Sequence, residues 1–167
     1  MCINCTAQLK TGRERNTLRI VMIFVDGFGL GGRDNNPIVV AETPVLDELL
    51  GGHLLWGKRY ITHNNTVLRA LDPTLGVPGK PQSATGQTTL WTGINAAKAI
   101  GFHLYAYPNQ RLAEIIANKS IFKQLTDAGK EVMFANAFTN AYDQAVGDKK
   151  QKHTASTLSA LAGGVCV

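Results

Sequence analysis

Charged and aromatic residues are scarce in this chain, and long apolar runs are absent. Of its 167 residues, 17% are charged and 7% aromatic, whereas 44% are hydrophobic. No apolar run is long enough to cross a bilayer, and residues 1–15 lack the apolar centre of a secretion signal. We therefore expect a globular protein in the cytoplasm, with no membrane partner.

The positive charge is concentrated at the N-terminus. The formal net charge is +5, and residues 1–19 account for +3 of it. The remaining chain is close to neutral, so we expect no nucleic-acid partner. We interpret residues 1–17 as a flexible basic N-terminal arm.

Cysteine and histidine are too few and too scattered to indicate a metal site. Cys2 and Cys5 form a C-x-x-C pair, but no second pair follows at zinc spacing, and Cys166 stands alone. We interpret the pair as incidental residues of a frayed terminus. The histidines are isolated and are interpreted as surface or loop residues: His53, His63, His103 and His153.

Alternating strand and helix patterns predict an α/β fold with a parallel-sheet core flanked by helices. The predicted strands are residues 18–26, 65–71 and 130–138. The predicted helices are residues 43–52, 86–99, 109–119 and 120–129. Three strands leave unpaired sheet edges, so we also expect self-association.

A glycine-rich loop follows the first predicted strand. Gly27–Gly32 matches G-x-G-x-x-G, but "RDNNP" follows it where a dinucleotide loop would open a helix, so the match is weak. Asp26 precedes this loop at the strand end. Two interpretations stay open for Asp26, a ligand at the sheet edge or a turn-forming residue that caps the loop.

Hydroxyl side chains crowd the stretch "GVPGKPQSATGQTTLWTG", residues 76–93. Ser83 or Thr85 there fits the cap of the following helix. The free N–H groups of that helix also suit a phosphate, and a hydroxyl beside them suits a nucleophile. The residues alone leave these alternatives open.

Three stretches together resemble the alkaline-phosphatase-like metalloenzyme superfamily. They are "IFVDGFGLG", "LDPTLGVPGKPQSATGQTTLWTG" and "SIFKQLTDAGKEVMFANAF". The nearest branch is that of phosphopentomutase and cofactor-independent phosphoglycerate mutase, and the resemblance covers about residues 18–140. It implies a partial alkaline-phosphatase-like domain.

The resemblance also implies a site and a reaction. Asp26 matches a metal-binding aspartate. Thr85 matches the nucleophile, which also binds metal, and Ser83 is the fallback nucleophile. Two divalent ions, manganese or zinc, would support phosphoryl transfer or phosphate-ester hydrolysis on a small phosphorylated substrate through a phosphothreonine.

The sequence departs from the family pattern in two respects. Gln87 and two threonines follow Thr85-Gly86, where phosphopentomutases have His-Trp-Glu, and no Asp-His pair is present to complete a two-metal site. We therefore interpret residues 18–167 as the N-terminal half of such a domain, inactive or nearly so by itself. Residues 139–156 fit either the start of an insertion or cap domain or a surface loop.

An alternative function also stays open. The chain would then be a non-catalytic metal- or phosphate-binding protein that keeps the fold without the chemistry. The sequence does not predict its oligomeric state.

Overall fold

The computed structural model describes residues 19–57, 60–63 and 65–167. Their contacts form two units, the smaller within residues 19–72 and the larger comprising Pro73–Val167. The predicted arm at residues 1–17, with Cys2 and Cys5, lies outside the described residues. Within the described residues, no helix combines the length and the apolar character needed to cross a membrane.

Two short helices and one hairpin form the smaller unit. They are α1 (Pro37–Val40), α2 (Pro44–Leu50), β1 (Tyr60–His63) and β2 (Thr66–Arg69). Proline suits the first turn of α2 because its φ is fixed near the helical value. Gly51 ends α2 in the left-handed region at φ 64°. The strands pair antiparallel, with Tyr60 opposite Arg69, and α2 packs on both of them.

Six helices form the larger unit. They are α3 (Ser83–Thr92), α4 (Ala96–Ile100), α5 (Gln110–Lys119), α6 (Ile121–Asp127), α7 (Asn140–Gly147) and α8 (Ala155–Ala162). Helix α3 contacts α4, α5, α6 and α8, so it lies at the centre of this unit. Ala84 of α3, Ala96 of α4 and Leu112 of α5 form a buried cluster between these helices. Small residues at this point allow the helices to approach closely.

Side-chain caps define where the helices of the larger unit begin. The Asn109 Oδ1 accepts a hydrogen bond from the Leu112 amide over 3.0 Å at the start of α5. The Ser120 Oγ accepts from the Phe122 amide over 3.1 Å at the start of α6, and it donates to the Ser159 carbonyl over 2.7 Å. The second bond ties the start of α6 to α8, so Ser120 joins local capping to helix packing.

The predicted parallel-sheet core is wrong. The described residues are mostly helical, and their one sheet has two antiparallel strands. Of the three predicted strands, only residues 65–71 contain one, β2, and it pairs with a neighbouring segment of the chain. A buried parallel sheet needs strands brought together from distant parts of the sequence, and the described residues do not make that pairing.

The structure forms no strand in the described residues of the other two predicted strands. In the described part of residues 18–26, Ile20 is 80% exposed and Val21 is 84% exposed. In residues 130–138, Met133 is 79% exposed. Apolar β-branched runs indicate a buried strand only when neighbours cover both faces, and here the cover is lacking.

The predicted helices agree with the structure better than the predicted strands do. Residues 43–52, 109–119 and 120–129 contain α2, α5 and α6. The helix predicted at 86–99 begins earlier, at Ser83, and Gly93 at φ 71° divides it into α3 and α4. Residues 139–156 contain α7 and the first two residues of α8, and neither helix was predicted from the sequence.

Candidate functional site

The loop before α3 is fastened to the larger unit by side chains from beyond the helix. Asn95 donates from Nδ2 to the Leu75 carbonyl over 2.7 Å, and its Oδ1 caps α4 by accepting from the Lys98 amide over 2.9 Å. The His103 Nε2 lies 3.1 Å from the Val77 carbonyl oxygen, within hydrogen-bonding distance. These contacts hold the proline-rich loop against the helices that follow α3.

Thr85 lies in the first turn of α3 and is fully buried, with no exposed surface. Its Oγ1 donates to the Gln82 carbonyl over 3.1 Å and accepts from the Leu104 amide over 3.4 Å. The neighbouring Ala84 amide donates to the Leu104 carbonyl over 3.2 Å. Leu104 therefore packs its backbone against the start of α3 and closes over the Thr85 hydroxyl.

The other threonines of the cluster bind the backbone of their own helix. Thr88, Thr89 and Thr92 each donate to the carbonyl four residues earlier, over 2.7, 2.9 and 2.6 Å. Thr89 Oγ1 also accepts from the Ala96 amide over 3.0 Å, which links α3 to α4. Back-bonding lets a hydroxyl enter a helix interior without an unpaired polar group. Most of the hydroxyls that distinguish this stretch thus have structural partners.

Ser83 is the first residue of α3 and is half-buried, so its side chain is more accessible than that of Thr85. The residue at the N-cap itself is Gln82, whose side chain makes no capping hydrogen bond. The Thr85 hydroxyl donates to the Gln82 carbonyl and accepts from the Leu104 amide, which lies outside α3. The predicted role of Ser83 or Thr85 as the cap is therefore not the arrangement that the structure has.

Asp26 lies in the smaller unit, in an exposed turn. The Phe28 amide donates to the Val25 carbonyl over 3.4 Å, and Gly27 has φ 74°, which is the position where such a turn needs glycine. The glycine-rich loop continues to α1, a helix of only four residues. The structure thus places Asp26 where the turn-forming interpretation puts it.

The two predicted metal ligands belong to different units, Asp26 to the smaller and Thr85 to the larger. Among residues 19–57, 60–63 and 65–167, no group of three or more His, Cys, Asp or Glu side chains could hold a metal ion. Two ligands are too few for two divalent ions, which take four to six donors each. The residues in the described part do not by themselves fit the implied two-metal centre.

A polar cluster in the smaller unit was not found from the sequence. The His53 Nδ1 lies 3.1 Å from Asp47 Oδ2, and Thr43 Oγ1 donates to Asp47 Oδ1 over 3.3 Å. The cluster borders a cleft of about 360 Å³ that residues 39–44 also line. The sequence signal for this cluster is Asp47 in the first turn of α2, followed by His53 two residues after Gly51, which ends the helix.

No family model, curated protein or solved structure matches the chain.

Proposed function

We propose that this chain contributes the nucleophile-bearing part of a phosphoryl-transfer site, with Thr85 as the acceptor of the phosphoryl group. The observation that carries the proposal is the position of Thr85 in the first turn of a ten-residue helix, directly after a fastened loop. The positive end of the helix dipole stabilises negative charge there. The resemblance of the surrounding motif to phosphomutases of the alkaline-phosphatase-like superfamily gives the same assignment.

The proposed reaction transfers a phosphoryl group from one oxygen to another. A phosphate ester of a small molecule donates its phosphoryl group, so that a bond forms between phosphorus and the Thr85 oxygen. The bond from phosphorus to the ester oxygen breaks, and the leaving alcohol takes the proton that the hydroxyl loses. Water then releases the phosphate in a hydrolase, whereas the product alcohol recovers it at a second position in a mutase.

The resemblance implies that metal ions take part in this reaction, but the described residues alone do not form a site that holds them. Manganese or zinc would polarise the phosphoryl oxygens. The resemblance implies Asp26 and Thr85 as ligands, but they belong to different units, and the described residues do not complete a metal centre around either of them. The chain's cytoplasmic location also stays a prediction.

One observation favours the second candidate, a non-catalytic phosphate- or metal-binding protein. Thr85 is fully buried, and its hydroxyl both donates and accepts a hydrogen bond. A nucleophile must reach phosphorus, so the backbone at Leu104 or the loop before α3 has to move before transfer. A protein that only binds its ligand has no such requirement.

A chemical test separates the two functions. The test uses a protein in which this chain is joined to the segment that supplies the missing metal ligands. That protein, loaded with Mn²⁺ or Zn²⁺, is incubated with a panel of phosphate esters and examined for phosphothreonine by mass spectrometry. We expect phosphate on Thr85, and we expect Thr85→Ala to abolish it whereas Thr85→Ser retains part of it. Ser83→Ala is the matched control and should label normally, since Ser83 is not the proposed acceptor.

Two outcomes would decide against the assignment. Labelling that survives Thr85→Ala but disappears with Ser83→Ala moves the nucleophile to the fallback residue. Binding of phosphate or metal to a folded chain without any covalent phosphate, across the whole panel, supports the non-catalytic function instead. Circular dichroism of each variant shows that the comparison is between folded proteins.

A further inference from the structure

A short irregular segment between α4 and α5 lies across the start of α3. Residues 102–107 form neither helix nor strand, and we call them the strap. Among the described residues, the strap backbone hydrogen-bonds to the rest of the chain only through Leu104. The Leu104 amide donates to the Thr85 Oγ1 over 3.4 Å, and the Leu104 carbonyl accepts from the Ala84 amide over 3.2 Å. These two bonds cover the first turn of α3.

Two side chains fasten the strap on either side of Leu104. The His103 Nε2 lies 3.1 Å from the Val77 carbonyl oxygen, in the loop before α3. The Tyr107 hydroxyl accepts a hydrogen bond from the Gln151 Nε2 over 2.7 Å. A segment without regular structure that is held by a few hydrogen bonds is the kind that opens locally, while the rest of a protein stays folded.

The strap also contains a strained turn. The Tyr107 amide donates to the Tyr105 carbonyl over 2.8 Å, which closes a three-residue turn around Ala106. Ala106 has φ 58°, in the left-handed region that a residue with a Cβ rarely adopts. A three-residue turn with positive φ at its central residue is the rare and strained form. Opening of the strap releases this strain, so the strain lowers the free energy that opening requires.

The ends of the strap suit a hinged movement. Gly101 precedes it with φ 84° and ends α4, and glycine changes its backbone conformation at little steric cost. Pro108 follows it and has no N–H group, so no amide bond is lost there. Asn109 then caps α5. The helices on both sides therefore keep their own hydrogen bonds when the strap moves.

One apolar contact keeps the closed form in the majority. The half-buried Leu104 side chain packs against the buried cluster of Ala84, Ala96 and Leu112, and opening returns this apolar surface to water. The helices themselves do not depend on the strap, because α3 packs directly on α4, α5 and α8. The strap can therefore leave a larger unit that stays assembled.

We propose that the strap is an autoinhibitory gate, which opens while the helices stay packed and thereby exposes the Thr85 hydroxyl. This inference rests on the proposed function, in which Thr85 accepts the phosphoryl group. The closed strap occupies the Thr85 oxygen and the Ala84 amide, and the open strap releases both to a phosphate ester. The rate of transfer is then proportional to the fraction of chains in which the strap is open.

Amide hydrogen exchange, followed by NMR on the full 167-residue chain, measures this opening without any substrate. Ala84 is the second residue of α3, so its amide has no partner within the helix and is protected by the Leu104 carbonyl. The Ala84 and Leu104 amides should have protection factors at least about tenfold below that of the Ile116 amide inside α5. Low urea concentrations should accelerate exchange at Ile116 alone, because strap opening exposes little surface.

Three variants test the cause of the opening. Ala106→Gly removes the strain, since glycine adopts positive φ freely, and should slow exchange of both amides at least about twofold. Lys149→Gly is the matched control, because Lys149 also has positive φ, 60°, but lies just beyond α7, outside the strap. It should leave both rates unchanged. His103→Ala removes the contact with the Val77 carbonyl and should raise both rates about two- to tenfold.

Three exchange results would overturn the proposal. The first is that the Ala84 and Leu104 amides exchange no faster than Ile116, and the second is that Ala106→Gly does not slow them. The third is equal slowing by Lys149→Gly, which would mean that their exchange reports the stability of the whole unit.

Phosphate labelling of Thr85 separates this proposal from the proposed function. In the protein with its metal ligands complete, Ala106→Gly should slow labelling by the same factor as it slows exchange. Labelling at an unchanged rate would show that the strap does not gate the reaction. If exchange responds as expected and Thr85 is never labelled, strap opening is upheld and the proposed function fails.

Discussion

Gly163, at the end of α8, leaves no room for a side chain. A Cβ built on this residue would lie 2.7 Å from the Phe122 carbonyl carbon, 2.8 Å from the Phe122 Cβ and 2.9 Å from the Lys123 nitrogen. Two of these atoms are backbone of α6, which cannot turn aside. Gly163 has φ −88°, a value that any residue adopts, so the effect of Gly163→Ala is steric and not conformational.

Gly163→Ala should therefore push α8 from α6 and destabilise the larger unit by about 1–3 kcal/mol, the usual cost of overpacking. Gly86→Ala is the matched control, because Gly86 lies inside α3 and a Cβ there would meet nothing within 4 Å. Alanine at that position should stabilise the helix by about 0.5–1 kcal/mol. The same substitution thus has opposite signs at two glycines of one unit.

Thermal unfolding followed by tryptophan fluorescence measures the difference. Trp91 is 6% exposed and packs on Phe122 with ring centroids 5.4 Å apart, whereas Trp56 of the smaller unit is 75% exposed. The emission change on unfolding thus reports mainly on the larger unit. Gly163→Ala should lower the midpoint by roughly 2–12 °C, and Gly86→Ala should raise it by roughly 1–4 °C. An unchanged midpoint in Gly163→Ala would refute the close approach of α8 to α6.

Two further predictions concern polar groups of the larger unit. Ser120→Ala removes the cap of α6 and the hydrogen bond to the Ser159 carbonyl, so urea denaturation should show that the free energy of unfolding falls by about 1–3 kcal/mol. The control Asn118→Ala, at an exposed residue, should lower it by less than about 0.5 kcal/mol. Equal losses in the two variants would contradict the buried role of Ser120. Burial raises the pKa of Tyr142, while its bond to Thr157 lowers it. Because the folded pKa is the higher one, the contribution of Tyr142 to stability is present below about pH 10 and is lost above it. Absorbance titration of the phenol should therefore show late ionisation, and Tyr142→Phe should flatten the alkaline loss of stability.

Local signals in the sequence predicted the helices well. Pro44 and Gly51 mark the two ends of α2, and the asparagine and serine before α5 and α6 cap them as their residue types suggest. Such signals work because a helix satisfies its backbone within a few residues of chain. Helix α8 was missed because its sequence, "ASTLSALA", is rich in hydroxyls, although Thr154 caps it.

The strands could not be predicted in the same way. A strand satisfies its backbone only through a partner, and the residues of the segment itself do not say whether that partner is present. Residues 20–25 and 130–138 have the composition of buried strands, yet the structure forms a strand in neither of them. The hairpin β1–β2 formed because its partner lies only a few residues away.

At the candidate site too, the sequence predicted the local position of a residue but not its contacts with residues further along the chain. The sequence placed Thr85 at the start of a helix, and the structure confirms that position. It could not show that Leu104, nineteen residues further along, closes over the hydroxyl.

That closure sets a condition on any catalytic role for Thr85. Moving Leu104 away would break the hydrogen bond that its amide donates to the Thr85 oxygen. It would also free the Ala84 amide, which donates to the Leu104 carbonyl. The first turn of α3 would then gain an unpaired N–H group beside an exposed hydroxyl, which is the combination that binds and accepts a phosphoryl group. The contact that closes the site in this conformation therefore occupies the same groups that a phosphate would use. If Thr85 has the proposed role, a phosphate ester would have to compete with the backbone of Leu104 for the start of α3. The outcome of that competition would separate a catalytic Thr85 from a structural one.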